Sequence, residues 1–183
     1  MAISALLQKR YSPRAFSEQT VSDEQIKDLF EAARWAPSSM NEQPWNYIYA
    51  KRGSSGFDKL ISCLVPANQL WAKNAALLVL SIAKTYFNYK NRPNRHALHD
   101  TGAANLSICL QATEMGLQAH QMGGFDMDIT MQTFNIDANE HTPVCFIAVG
   151  YPGNPESLPE NLKERELAPR KRKQLQDFIK ETN

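Results

Sequence analysis

The stretch from Ala75 to Ala83 constrains the fold of this chain more than any other segment. It covers nine residues and is apolar except for Ser81, which is too short for a membrane-spanning helix of about 20 residues. A short run without a polar face predicts instead a strand in a sheet that is covered on both faces. Three other segments complete a predicted set of four short strands: Trp45 to Ala50, Leu117 to Met122 and Pro143 to Val149.

Helical patterns alternate with these strands. Ser22 is a predicted N-cap, and apolar residues recur at helical spacing from Ile26 to Ala33. Pro37 ends this helix at Ala36, because the residue before a proline avoids helical geometry. A second helix is predicted from Thr101 to Met115 and is expected to be buried and central. Helices interleaved with short strands indicate one α/β or α+β domain, and 183 residues suffice for its core.

Charge and cysteine content exclude several classes of partner. Lys plus Arg number 20 and Asp plus Glu number 19, so no long-range field favours nucleic acid or an anionic membrane. The first ten residues lack the pattern of a signal peptide. The three cysteines, Cys63, Cys109 and Cys145, are widely spaced in apolar context. They are expected to be buried thiols in a reducing compartment, and the predicted location is the cytoplasm.

Hydrolytic and metal-dependent chemistry are both poorly supported. No segment resembles the nucleophile elbow of a serine hydrolase. The four histidines lack zinc-type spacing with cysteine or carboxylate partners, so no metal site is predicted; they are His96, His99, His120 and His141.

The segment from Arg10 to Arg14 has the character of a phosphate receptor. Pro13 forces Ser12 into extended geometry, and side chains alternate along an extended segment, so Arg10, Ser12 and Arg14 are predicted to face the same way. Two guanidinium groups and a hydroxyl match the oxygens of a phosphate dianion. A solvated basic loop is the open alternative.

The loop from Pro37 to Pro44, followed by Trp45, is suited to a planar heterocycle. Prolines bracket it, and it carries hydroxyl and carboxamide groups on Ser38, Ser39, Asn41 and Gln43. Carboxamides both donate and accept hydrogen bonds, as the edge of such a heterocycle requires. The alternative is a polar turn that only caps the preceding helix.

Two further segments allow more than one interpretation. Gly123 and Gly124 follow a predicted strand, and they can admit a ligand close to the backbone or simply form a tight connection with Asp126 as an N-cap. From residue 151 the chain is rich in proline and charge and carries a basic run from Arg170 to Lys173. It is either disordered or an arm that packs outside its own domain, and its apolar residues Leu175, Phe178 and Ile179 favour the arm.

Taken in order, these segments resemble the FMN-dependent nitroreductase family over nearly the whole chain. The resemblance rests on Arg10-x-Ser12-x-Arg14, on Pro37-Ser38-Ser39-x-Asn41-x-Gln43-Pro44-Trp45, and on Gly123-Gly124-Phe125-Asp126 before a strand and a basic tail. It implies an α+β fold with a central, mostly antiparallel sheet flanked by helices. It also implies a homodimer with FMN at the interface, in which residues 1–150 bind FMN and residues 151–183 extend onto the partner subunit.

The resemblance assigns site residues as well. Arg10, Ser12 and Arg14 would hold the FMN phosphate with the backbone of Tyr11, and Arg170 and Arg172 would close on it. Asn68 would bond the pyrimidine edge, and Gly123 and Gly124 would present backbone near flavin N5, where hydride arrives. The partner subunit would place its copy of four loop residues against the ring: Pro37, Ser38, Ser39 and Asn41.

The implied activity is reduction of nitro-aromatics, quinones or similar electron-poor substrates by NADH or NADPH in a ping-pong cycle. Hydride chemistry belongs to the flavin, so no catalytic side chain is predicted. Many members have glutamate at Gly123 and a longer segment before Thr101, and we expect Met40, Tyr86 and Phe87 to line the substrate pocket here. Alternatives are a redox-sensing FMN module without turnover and a same-fold reductase of enones or halogenated aromatics.

Overall fold

A computed structural model describes residues 3–182 and has four strands and seven α-helices within that range. The strands are β1 (Trp45–Lys51), β2 (Leu77–Lys84), β3 (Gln118–Met122) and β4 (His141–Gly150). The helices are α1 (Ala5–Lys9), α2 (Asp23–Arg34), α3 (Ser55–Ser62), α4 (Pro66–Ala72), α5 (Ala97–Glu114), α6 (Met127–Thr133) and α7 (Glu160–Leu167). None of the helices in this range is both long and apolar enough to cross a membrane.

The four predicted strands form one antiparallel sheet in the order β1-β2-β4-β3. The fold is therefore α+β, as the resemblance implied. Every residue of β2 except Lys84 is buried, which confirms that the apolar run is covered on both faces. Pro143 has no N–H to donate to a neighbouring strand. It pairs with Ile82 at the register shift between Ser81 and Ile82 and lies beyond the end of β3, where fewer hydrogen bonds are needed.

Two cores cover the two faces of the sheet. Side chains alternate along β2, so Leu78 and Leu80 enter a core with residues of α3, α4 and α7. Leu77 and Val79 enter the other core, with residues of α2 and α5. The central position of β2 explains why its sequence has no polar face.

Helix α2 begins as predicted and ends slightly earlier. Ser22 and Gln25 form a reciprocal capping box, and Ile26, Leu29 and Ala33 are buried. The helix ends at Arg34, two residues before the predicted end, because Trp35 already serves as its C-cap.

Helix α5 is central, as predicted, but it begins at Ala97, four residues before the predicted start, and it is only partly buried. Ala104, Ile108 and Ala112 are fully buried, whereas Leu106 is 44% exposed and Leu98, in the first turn, is 56% exposed. The two leucines are eight residues apart and lie on one face of the helix. Periodicity identified the helix correctly, but it could not separate an interior face from an apolar outer one.

Residues 151–182 contain one α-helix that was not predicted. Helix α7 buries only Leu162, so its sequence carries almost no amphipathic signal. Beyond it, the chain is exposed through residue 182. Leu175, Phe178 and Ile179 are 69%, 63% and 57% exposed, a distribution that burial within one chain does not explain.

Candidate cofactor-binding site

A basic cavity of about 260 Å³ lies between the N-terminal segment and the tail. The structure brings together here all the residues predicted to bind phosphate, and the lining residues are Arg10, Tyr11, Ser12, Arg14, Arg165, Glu166, Ala168, Arg170 and Arg172. Arg10 leaves helix α1 in extended geometry, and its Nη1 donates to Ser12 Oγ over 3.3 Å. Five guanidinium groups therefore surround a small volume that contains one carboxylate.

Strand β3 anchors the backbone of this segment with two side chains. Gln118 Oε1 accepts a hydrogen bond from the Tyr11 N–H over 3.3 Å, so this amide is already used within the chain. His120 Nδ1 lies 2.8 Å from the Pro13 carbonyl, and its ring packs on Trp71 with centroids 4.6 Å apart. Residues 118 and 120 point to the same face of the strand, so together they hold one stretch of chain.

Burial lowers the pKa of His120 to about 4, and the nearby charges of Arg14 and Arg10 add to the effect. The ring is therefore neutral near pH 7, and its Nδ1–H can donate to the Pro13 carbonyl. A neutral imidazole adds no charge to the cavity and serves to position the backbone.

Helix α7 anchors the same segment through Glu166, whose side chain is only 6% exposed. Its two carboxylate oxygens each lie 3.0 Å from the Arg14 N–H, and Oε1 is 3.4 Å from the Ala15 N–H. Oε2 also lies 3.7 Å from Nη1 of Arg14. The pKa of Tyr11 is raised by burial and by the Glu166 charge, and the pKa of Arg14 is lowered, first by burial.

The basic tail closes the cavity from the other side. Arg170 donates through Nη1 to the Arg10 carbonyl over 2.7 Å and through Nη2 to the Gln8 carbonyl over 2.6 Å. Arg172 Nη1 bonds the carbonyl of Lys171 over 2.7 Å. Part of the charge run is thus tied to the N-terminal segment and is not merely solvated.

Asn68 and Gly124 form a second part of the site, beyond the end of β3. Asn68 Nδ2 donates to the Gly124 carbonyl over 2.9 Å, and the Val65 N–H donates to the same oxygen over 3.1 Å. A Cβ on Gly124 would lie 2.6 Å from Asn68 Nδ2, whereas a Cβ on Gly123 would meet nothing within 4 Å. Gly124 is therefore required for close packing, and Gly123 leaves open space.

Strand β3 connects the two parts. At its start Gln118 holds the basic segment, and after its end the chain continues into Gly123 and Gly124. Asn68 and Trp71 lie one turn apart on α4. Trp71 packs on His120 and Asn68 bonds Gly124, so the cavity and the glycine pair belong to one continuous wall.

The loop from Pro37 to Pro44 lies elsewhere in the chain and lines a different cavity. The Ser39 N–H donates to Asp100 Oδ2 over 2.9 Å, and the Gln43 N–H donates to Ser38 Oγ over 3.0 Å. Met40, Asn41 and Gln43 adopt φ between 51° and 56°, a conformation that costs energy for Met40 and Gln43 and that asparagine tolerates better. Pro37, Ser38, Ser39 and Asn41 thus do not meet the basic cavity within the described part of one chain.

The predicted substrate residues divide into two groups. Met40 and Phe87 line a cavity of about 310 Å³ beside the Pro37 loop, here called the Arg92 cavity, together with Ser39, Arg92, Arg95 and His96. Tyr86 is not part of this lining; it forms a β-bridge with Pro93.

Sequence reasoning missed Gln118, His120 and Glu166. A weak signal existed for the first two, because polar residues two apart in a short strand share a face and need a common partner. Glu166 gave no usable signal, because its contacts with Arg14 join residues 152 positions apart.

Comparison with known proteins assigns the family. The sequence model described as "Nitroreductase family" matches residues 7–151. A solved structure titled as an oxidoreductase containing FMN superposes with a TM-score of 0.95 and 33% identity, covering 100% of this chain and 93% of its own. A Streptomyces griseus protein, provisionally named NADH dehydrogenase/NAD(P)H nitroreductase, is 23% identical over an alignment of 180 residues that covers 85% of this chain and 88% of that protein.

A Desulfovibrio desulfuricans protein, solved in complex with FMN, shares the fold. Its TM-score is 0.77 at 21% identity, and the match covers 100% of this chain and 99% of that one. The α+β fold and the sequence model agree on one class of proteins. This chain belongs to the nitroreductase family.

Proposed function

We propose that this protein is a homodimeric FMN-dependent reductase that uses NADH or NADPH to reduce nitro-aromatics, quinones or related electron-poor substrates in a ping-pong cycle. The observation that carries the proposal is the basic cavity formed by the N-terminal segment and the tail. Residues 1–150 would form the FMN-binding unit, and residues 151–183 would extend onto the partner. The free, buried cysteines Cys63, Cys109 and Cys145 favour a reducing compartment such as the cytoplasm.

The cavity has the chemistry of a phosphate site. Arg10, Arg14, Arg170 and Arg172 supply guanidinium groups and Ser12 a hydroxyl, and arginine pairs bidentately with phosphate oxygens. Glu166 offsets only one of these charges, and its oxygens face backbone N–H groups. The remaining positive charge suits a phosphate dianion, so these residues fit the ribityl phosphate of FMN.

The glycine pair and Asn68 suit the other end of the cofactor. Asn68 Nδ2 bonds the Gly124 carbonyl, and no group within residues 3–182 bonds the Asn68 amide oxygen. This oxygen would serve a pyrimidine N–H. Gly123, with open space at its Cβ position, would let the ring approach the backbone. Bound FMN supplies the hydride chemistry, and the protein binds and orients it and shields it from water.

The dimer proposal follows from surfaces that one chain leaves uncovered. Leu98 and Leu106 of α5 are exposed on one face, and the tail presents Leu175, Phe178 and Ile179. Large exposed apolar side chains grouped on one element are typical of an interface. The partner's copy of the Pro37 loop, through Pro37, Ser38, Ser39 and Asn41, would then reach the flavin ring, since Pro37 and Asn41 are exposed in this chain.

The spectrum of the purified protein tests this proposal. The protein should bind FMN, be yellow, and lose flavin absorbance when NADH or NADPH is added without oxygen. Steady oxidation of reduced nicotinamide with menadione or a nitrofuran as acceptor distinguishes an enzyme from a flavin-binding module without turnover. A colourless protein that cannot be reconstituted with FMN would refute the proposal.

A further inference from the structure

The Arg92 cavity combines two apolar walls with positive charge. Met40 comes from the strained Pro37 loop, and Phe87 comes from the connection between β2 and α5. Phe87 is 7% exposed, whereas Met40 is 70% exposed. A cavity of about 310 Å³ that is lined by an aromatic ring and a thioether suits a small aromatic molecule.

The guanidinium of Arg92 is held by these walls and not by a carboxylate. Its Cζ lies 5.0 Å from the centroid of the Phe87 ring, and its Nη2 lies 3.8 Å from Met40 Sδ. Cation–π contact fixes the position of the charge while leaving most of its N–H donors available. Arg92 is thus a cation held in a fixed position, with N–H groups that can donate hydrogen bonds to a ligand.

Arg95 places a second guanidinium at the same cavity. Its Nε donates to His96 Nε2 over 3.2 Å, which leaves its terminal nitrogens available. Within residues 3–182, neither Arg92 nor Arg95 forms an ion pair with a carboxylate.

Positive charge is concentrated in the segment that lines this cavity. Residues 84–99 include four lysines and arginines and no aspartate or glutamate, although the whole chain is almost neutral. Two carboxylates close to this segment accept backbone hydrogen bonds: Asp100 accepts from the Ser39 N–H and contacts His99, and Glu42 accepts from the Asn88 N–H. They offset part of the positive charge, but within residues 3–182 neither forms an ion pair with Arg92 or Arg95. The N-terminus of the 18-residue helix α5 adds a partial positive charge behind His96.

We propose that the Arg92 cavity binds the anionic group of an aromatic reactant, such as an aryl carboxylate that accepts electrons from the reduced enzyme. Phe87 and Met40 pack against the ring, and Arg92 and Arg95 bind the carboxylate. This rests on the proposed function, in which the Pro37 loop lies against the partner's flavin. A phosphate of the nicotinamide donor carries the same anionic chemistry, so the test must separate acceptor from donor.

The experiment compares 4-nitrobenzoate with its neutral analogue 4-nitrobenzamide as acceptors for the FMN-loaded enzyme. The wild-type enzyme should have the higher kcat/KM for the anion, and the preference should fall as salt is added. Arg92→Gln and Arg95→Gln should each reduce the anion-to-amide ratio of kcat/KM by about tenfold or more, as expected for loss of a bond to a charged group.

Lys90→Gln is the matched control. Lys90 lies in the same basic segment, but its Nζ sits over the Tyr89 ring and outside the cavity. The Lys90→Gln variant removes the same charge as the arginine variants. If direct contact determines selectivity, and not the general charge of the segment, this variant should keep the anion-to-amide ratio of kcat/KM within twofold of the wild-type value.

Three results overturn the proposal: no anion preference in the wild-type enzyme, a ratio that Arg92→Gln and Arg95→Gln leave unchanged, or an equal loss in Lys90→Gln. If the arginine variants raise KM for NADPH but not for NADH, and the acceptor ratio is unchanged, the anion is the 2′-phosphate of the donor and the acceptor assignment is wrong. Turnover of neutral menadione by the wild-type enzyme is measured in parallel, since its absence would contradict the proposed function itself and not the charge selectivity.

Discussion

The adjacent glycines at the end of β3 provide a matched pair for testing the ring end of the proposed site. Neither Gly123 nor Gly124 is among the residues with positive φ, so both backbones accept an L-residue without torsional strain. Their surroundings differ. An alanine Cβ at Gly124 would lie 2.6 Å from Asn68 Nδ2 and 3.0 Å from Val65 Cγ2, whereas one at Gly123 would be in open space.

The expected magnitudes follow from these distances. Gly124→Ala must displace the Asn68 amide and break its 2.9 Å bond to the Gly124 carbonyl, which costs about 0.5–1.5 kcal/mol. Pushing Val65 aside brings the total loss of unfolding free energy to about 1–3 kcal/mol. Gly123→Ala should be neutral or stabilising by up to about 1 kcal/mol, because alanine restricts the unfolded chain.

Urea unfolding of the flavin-free protein measures the two stabilities, and a fluorescence titration measures FMN affinity. Gly124→Ala should also weaken FMN binding, since Asn68 is moved from the position assigned to it at the pyrimidine edge. If Gly123→Ala destabilises as much as Gly124→Ala, the local packing described above is wrong. If Gly124→Ala is destabilised but binds FMN with unchanged affinity, Asn68 does not contact the cofactor.

Four further outcomes are expected. Arg14→Ala should weaken FMN binding by about 1.5–3 kcal/mol in the same titration, the range for a bond to a charged group; unchanged affinity would contradict the phosphate assignment. Glu166→Gln removes the charge but keeps the shape of the side chain, and it should lower the unfolding free energy by about 2 kcal/mol. The control is Glu164→Gln at a neighbouring exposed position, whose unfolding free energy should stay within about 0.5 kcal/mol of the wild-type value. The pKa of His120 is about 4 in the folded protein and about 6.5 in the unfolded chain, so the unfolded chain binds more protons between these values. The free energy of unfolding should therefore fall as the pH drops from 6.5 to 4, by up to about 1.4 kcal/mol per pH unit. The variant His120→Gln should show a weaker dependence on pH. Leu106→Lys should shift the protein towards monomer in size-exclusion chromatography, and a wild-type monomer that retains flavin would contradict the two-chain site.

Most of the fold could be predicted from the sequence, because its strongest signals are local. The run from Ala75 to Ala83 has no polar face, and this reflects the position of β2 between two cores. Helix α7 could not be predicted, because it buries a single leucine, Leu162. The exposure of Leu106 was equally hidden, since apolar spacing identifies a face of a helix and not what covers it.

The candidate site also has one part that the sequence predicts and one part that it does not. Pro13 restricts the local backbone, so the common direction of Arg10, Ser12 and Arg14 followed from a segment of five residues. Their anchors are not local: the Tyr11 amide finds its partner 107 residues away. Such contacts depend on how β3 and the tail pack against the N-terminal segment. Contacts between residues so far apart in the sequence leave no periodic pattern from which they could be predicted.

Strand β3 and helix α7 together explain why the basic segment can serve as a rigid receptor although it is an irregular loop. Its backbone is bonded by Gln118 and His120 on one side and by Glu166 and Arg170 on the other. The same strand leads from Gln118 to the glycine pair over five residue steps, about 17 Å at the usual rise of a strand. The phosphate end and the ring end of the proposed site are thus held at a fixed separation by one regular element. A receptor whose two ends are fixed before the ligand arrives loses little conformational entropy on binding. This supports a cofactor that stays bound while reactants exchange, which a ping-pong cycle requires.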